Sequence, residues 1–95
     1  MAAPGIPTGF YVQQGNGQVA LAWNLAAGAT SYSVQRSTDG VSYSVVASPV
    51  SPTYLDTSVT VGSQYWYKVA AVNGDGTSQY TVPQSVVPAL QADVS

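Results

Sequence analysis

Apolar side chains recur at every second position along most of this chain, and the runs are cut at short intervals by Gly, Pro, Asn and Asp. That is the period of a β-strand with one face in a core. Phe10 and Val12 share one parity, Val19, Leu21 and Trp23 share another, and Gly15-Asn16-Gly17 between them supplies positive φ for a hairpin. Tyr32, Val34 and Arg36 then alternate with Ser33, Gln35 and Ser37, and Asp39-Gly40 offers primed-turn chemistry for a return through Tyr43, Val45 and Val46. A short strand follows around Thr53 to Asp56. The longest run, Gln64 to Asn73, sets Tyr65, Tyr67, Val69 and Ala71 on one face and Trp66, Lys68, Ala70 and Val72 on the other. Asn73-Gly74-Asp75-Gly76 is the strongest turn signal and delivers a final strand from about Ser78 to Val87. Pro83 lacks an N–H for a ladder, so it marks a sheet edge or a bulge.

No segment shows helical spacing, so the pattern predicts an all-β fold, a seven-stranded antiparallel sandwich of two sheets. Residues 7–88 form the domain, 1–6 an N-terminal arm, and 89–95 a C-terminal arm or linker; there is no internal repeat. The whole chain is 95 residues. Such a length buries roughly 60 to 70% of the unfolded surface, enough for one self-sufficient core.

Composition narrows the chemistry. There is no Cys and no His, which removes thiolates, zinc clusters and the commonest general base. Two basic against four acidic residues give a net charge of -2, which repels phosphate backbones, so nucleic acid is not an expected partner. Ser, Thr, Gln and Asn, 31 of the 95 residues, take over the solubilising role that charge normally fills. They are interleaved with apolar residues, so the chain buries a core instead of remaining disordered. No stretch approaches the roughly 18 apolar residues that span a bilayer, so membrane insertion is not expected. The start, Met1-Ala2-Ala3-Pro4-Gly5, has neither a basic nor an apolar leader region. Either the chain begins as written, or Met1 heads a domain cut from a longer secreted protein.

Trp23 in the second strand, the run from Gly28 to Gly40, and Tyr65-Trp66-Tyr67-Lys68-Val69-Ala70-Ala71-Val72-Asn73 together resemble fibronectin type III domains, most closely the bacterial and phage forms. The resemblance covers about Pro7 to Pro88 and implies an immunoglobulin-like sandwich. It places Tyr65 at the family's tyrosine corner, whose hydroxyl returns to the backbone a few residues upstream. Val59-Thr60-Val61-Gly62 departs from the family's Leu-x-Pro-Gly there, losing the Pro constraint and keeping the Gly.

By alternation Trp23, Tyr32, Tyr65, Tyr67 and Val69 are expected in the core, where burying one large apolar side chain contributes about 1.5 to 3 kcal/mol. Trp66 has the opposite parity and is expected outside, near Gln35, Lys68 and Tyr80. Two readings of Trp66 stand: a ring that covers its cross-strand neighbours, or a contact platform for a protein or a sugar face. Leu90 and Val94 are candidate contacts of the C-terminal arm.

Catalysis is not expected. Of Asp39, Asp56, Asp75 and Asp93 only the first two are expected near one pole, where Asp39 reads as a turn residue and Asp56 as a loop cap. Asp75 is too isolated for calcium, which needs several carboxylates, and no cofactor or metal is expected. Nor does Asn73-Gly74-Asp75-Gly76 carry the Arg-Gly-Asp order of integrin-binding family members. Two roles fit a non-catalytic module, of which the first is the one expected and the second its alternative. The first is a decoration protein on a phage head or tail, located at the virion surface, contacting capsid or tail protein and, weakly, host glycans. The second is a spacer or ancillary carbohydrate-associated module of a secreted, extracellular bacterial polysaccharide-degrading enzyme or adhesin, with a neighbouring domain as partner.

Overall fold

The computed structural model describes residues 3–89. Its strands are β1 (Tyr11–Gly15), β2 (Gln18–Ala22), β3 (Ser31–Ser37), β4 (Ser44–Ala47), β5 (Thr53–Asp56), β6 (Tyr65–Asn73), β7 (Gly76–Thr77) and β8 (Gln84–Val86). One sheet has the order β1-β2-β5; the other runs β4-β3-β6, with β7 and β8 both paired to β6. Every strand pairing is antiparallel. The fold is an immunoglobulin-like sandwich with no helix among the described residues.

Of the last strand expected from Ser78 to Val87 only β8 pairs as a strand, and a two-residue strand, β7, forms just ahead of that range. Between them, the N–H groups of Ala71 and Val69 on β6 are bonded by the hydroxyls of Ser78 (3.0 Å) and Thr81 (3.1 Å), where a regular ladder would offer carbonyls. The N–H groups of Ser78 and Thr81 return to the carbonyls of the same two residues at 2.8 and 2.9 Å. Side chains thus satisfy β6 while the backbone bulges away, and exposed Pro83 lies just before pairing resumes at Gln84.

Both sheets turn their alternate residues inward. Trp23, Tyr32, Tyr65, Tyr67 and Val69 are buried together with Val19, Leu21, Val34 and Ala71. Each core tyrosine uses its hydroxyl: Tyr32 accepts from the N–H of Ala26 at 3.1 Å, and Tyr65 accepts from the N–H of Thr60 at 2.8 Å, closing the corner before β6. Trp23 meets the edge of Tyr32 with ring centroids 5.4 Å apart.

Tyr67 donates to Oδ2 of Asp56 at 2.7 Å, and this carboxylate, wholly buried at the end of β5, is the polar centre of the sandwich. Arg36 of β3 donates to the same oxygen at 2.8 Å. Oδ1 accepts from the N–H and the hydroxyl of Ser58 at 3.0 and 2.7 Å. The loop cap expected of Asp56 is therefore one of four bonds, and two of the others reach across to the opposite sheet. Arg36 also lies 5.4 Å from the centroid of the Tyr65 ring.

Burial alone pushes the Asp56 carboxyl up, but its bonds from Ser58, Tyr67 and Arg36 outweigh it and hold the group below its ordinary 3.8. The N–H groups of Ser42 and Val41 and the hydroxyl of Ser37 hold Asp39 down at about 2. Because both ionise at lower pH when folded, the unfolded chain binds more protons as pH falls. Their stabilisation is complete above the ordinary carboxylate range and is lost as pH drops through it. The urea midpoint is expected to stay level from about pH 8 to about pH 5 and to fall below about pH 4. Asp56→Asn is expected to flatten that fall and to lower the plateau stability by on the order of 3 kcal/mol. A variant whose midpoint tracks the parent at every pH contradicts this assignment.

Candidate functional site

The outer face of the larger sheet follows from alternation along β3 and β6, and β4 joins it across a register shift between Val34 and Gln35. Gln35 on β3 stands opposite Lys68 on β6 and Val45 on β4, and Ser37 stands opposite Trp66. The β7–β8 bulge brings Tyr80 back over this face, where its hydroxyl meets that of Ser33 at 2.8 Å.

Lys68 is the organising group. Its Nζ lies 4.3 Å from the centroid of Tyr43 and 5.1 Å from that of Tyr80, so one ammonium sits against two rings. The chain has two basic residues in all, and since Arg36 is bonded to Asp56, Lys68 is the cation of this face. Lys68, Gln35 and Tyr80 are thus brought together as expected neighbours. Tyr43 was not singled out for the face from sequence, although it has the parity of outward Val45 and that signal was available.

Trp66 occupies the next outward position along β6 and is half-buried. Backbone covers it: a Cβ on Gly40 would stand 3.1 Å from Cε2 of the indole. The connection that does this is not the primed hairpin turn expected from Asp39-Gly40. That turn needs positive φ at both central residues, whereas among the described residues only glycines have positive φ, Gly40 at 79° included. Side chains build the turn instead. The Ser37 hydroxyl accepts from the N–H groups of Asp39 (3.1 Å) and Gly40 (2.8 Å) and donates to Asp39 Oδ1 at 2.8 Å. The same Oδ1 accepts from the N–H groups of Val41 and Ser42 at 2.8 and 2.9 Å. Within the chain the indole is packed under the turn at Gly40, a cover that neither reading of Trp66 specified.

The arm candidates Leu90 and Val94 lie outside the described residues. The last described residue, Ala89, is tied to its own domain: its carbonyl accepts from Gly17 at 3.1 Å and its N–H donates to Gln14 Oε1 at 3.2 Å.

The carboxylates offer little to a substrate. Asp56 is fully buried and already accepts four bonds, about the capacity of a carboxylate, and Asp39 is committed to its own turn. No group of three or more metal-ligating side chains occurs among the described residues. What the outer face offers is hydroxyls, an amide, half-buried rings and one cation.

Gly40→Ala tests how this face is built. The substitution places a Cβ at positive φ and against the Trp66 indole, so it is expected to cost about 1 to 2 kcal/mol and to shift the Trp66 contribution to the tryptophan emission, read in a Trp23→Phe background. Unchanged emission and melting temperature contradict this packing.

The model of the PBP1-like, fibronectin3-like domain family matches residues 10–81. An amylopullulanase of Thermoanaerobacterium saccharolyticum is 37% identical over 92 residues, covering 94% of this chain and 7% of that protein. An amylopullulanase of Thermoanaerobacter thermohydrosulfuricus is 44% identical over 78 residues, covering 80% of this chain and 5% of that protein. The chain therefore spans less than a tenth of the length of these relatives. Among solved structures, a Fn3-like protein from Clostridium thermocellum superposes with a TM-score of 0.77 at 34% identity, over 90% of this chain and 95% of that one. Domains of this kind are typically non-catalytic. Strand order, tyrosine corner and the extent of these matches agree: the chain belongs to the bacterial fibronectin type III-like domains.

Proposed function

We propose that this chain is a non-catalytic ancillary module of a secreted bacterial polysaccharide-degrading enzyme, one that spaces neighbouring units and makes weak contact with carbohydrate. The observation that carries the reading is that nearly the whole chain matches a small part of much longer amylopullulanases. A phage-particle accessory role draws no support from these relatives.

The ends suit a spacer. On the N-terminal side the carbonyl of Thr8 accepts from Asn24 at 2.8 Å, beside the end of β2. On the C-terminal side the carbonyl of Pro88 accepts from Gly62 at 2.9 Å, and Ala89 is held by the β1–β2 turn, at the opposite end of β2. The chain enters at one pole and leaves at the other, with both passages tied to the body, so a domain placed in series separates its neighbours along its length. Trp66, Lys68, Gln35 and Tyr80, with Tyr43, form the face this reading assigns to carbohydrate. Their hydroxyls, amide and ring edges suit a polar, uncharged partner. Because the ammonium of Lys68 occupies ring surface that a sugar would stack upon, the contact is weak.

The parent gene is the first test: it is expected to encode a glycoside hydrolase unit in frame with this domain, and a gene confined to this chain would sink the reading. In the intact enzyme, deletion of the domain is expected to leave turnover of a short soluble oligosaccharide unchanged and to lower activity on the insoluble polymer. Equal losses on both substrates would show that the domain supports the catalytic unit itself.

A further inference from the structure

Asn73 ends β6 and pairs with Gly76 of β7, with Gly74 and Asp75 as the turn between them. The carboxamide of Asn73 folds forward over that turn. Its Oδ1 accepts from the N–H of Asp75 at 2.8 Å and from the N–H of Gly76 at 3.2 Å. Its Nδ2 donates to the carbonyl of Gly28 at 3.1 Å. A side chain whose oxygen reaches the second and third N–H groups ahead of it passes over the peptide nitrogen between, so Cγ of Asn73 faces the nitrogen of Gly74. A bond between those two atoms closes a five-membered ring.

The groups such a closure needs are in place. Gly74 is exposed, and its N–H donates to no protein group among the described residues. The approach is open, since even a Cβ built on Gly74 meets nothing within 4 Å. The two N–H groups on Oδ1 stand where negative charge develops when Cγ becomes tetrahedral. Holding nucleophile and electrophile in one turn also removes the entropy cost of bringing them together.

The other Asn-Gly pair, Asn16-Gly17, has the same chemistry in a different setting. The N–H of Gly17 donates to the carbonyl of Ala89 at 3.1 Å, and Asn16 bridges to the same residue. The nitrogen of Gly17 can attack only after that bond opens. Asn24, the third asparagine, precedes Leu25, whose branched side chain crowds the nitrogen.

We propose that Asn73-Gly74 is a self-modification site, at which the domain converts its own asparagine and unties the β2–β3 connection from the β6–β7 turn. The nitrogen of Gly74 loses its proton to solvent base and bonds to Cγ. The Cγ–Nδ2 bond breaks, and Nδ2 leaves as ammonia with a proton taken from water. Water then opens the succinimide at either carbonyl and leaves an aspartyl or an isoaspartyl residue, the latter with a main chain longer by a methylene. Neither product donates to Gly28, so a carboxylate faces that carbonyl and the tie is lost. Thr30 lies next along the same connection, its N–H on the carbonyl of Val72 at 2.8 Å. The site goes beyond the module reading and does not depend on which polypeptide carries the domain.

The test is peptide mapping by mass spectrometry of the full chain after incubation in mildly alkaline buffer, folded and in urea. In urea the two Asn-Gly pairs are expected to react alike. In the folded domain Asn73 is expected to exchange amide for acid at least about tenfold faster than Asn16, the factor that a retained hydrogen bond at Gly17 supplies. Gly74 has no positive φ and open space around it, so Gly74→Ala is expected to slow the reaction several-fold and to keep the melting temperature. In the modified protein hydrogen exchange at the Thr30 N–H is expected to rise. Equal rates at the two pairs in the folded domain, a faster Asn16, or an unreacted Asn73 overturn the proposal. Unchanged exchange at Thr30 in protein converted at Asn73 overturns the untying.

Discussion

One buried carboxylate joins the two sheets. Asp56 ends β5 in the smaller sheet, and its Oδ2 takes a proton donor from each of the two central strands of the larger one, Arg36 of β3 and Tyr67 of β6. Removing an ion from water costs several kcal/mol, and such a pair is tolerated only when every remaining lone pair is bonded. Here Ser58 meets that condition through its N–H and hydroxyl. Apolar packing drives the sheets together but is indifferent to small slips; a carboxylate that needs two partners at 2.7 and 2.8 Å is not. Slipping β5 by one residue would turn Asp56 to the outside and leave Arg36 and Tyr67 without their acceptor.

That constraint reaches the outer surface through β3 and β6. With Arg36 and Tyr67 facing inward at paired positions, Gln35 and Lys68 must face outward as the adjacent pair. The domain spends its two cations in opposite ways: Arg36 is bonded in the interior, and Lys68 lies outside between Tyr43 and Tyr80. Tyr80 reaches that position because Ser78 and Thr81 satisfy β6 with hydroxyls and let the backbone between them leave the ladder. The surface that results is poor in charge and rich in hydroxyls, as the composition requires.

Parity made most of this legible. Alternation separates Val19, Leu21, Trp23, Tyr32, Val34, Tyr65 and Tyr67 from their outward neighbours, and the bounds of β5 and nearly those of β6 follow from it. What it cannot carry is pairing between distant residues. Asp56 and Arg36 are twenty positions apart, and nothing local marks Asp56 as more than a cap. Turn chemistry was ambiguous for a related reason. Asp39-Gly40 suits a primed turn, but Ser37 and Asp39 also offer oxygens to five nearby donors, and the side-chain solution won. The break in pairing between β7 and β8 turns on Ser78 and Thr81 substituting for carbonyls, which an alternating pattern does not distinguish from an ordinary strand.

The most direct measurement of the central claim is a double-mutant cycle in urea between Asp56→Asn and Tyr67→Phe, partners on opposite sheets. If the carboxylate locks the sheets together, the two losses couple by about 1 kcal/mol or more. Losses that add to within about 0.5 kcal/mol would mean that packing alone holds the sandwich in register.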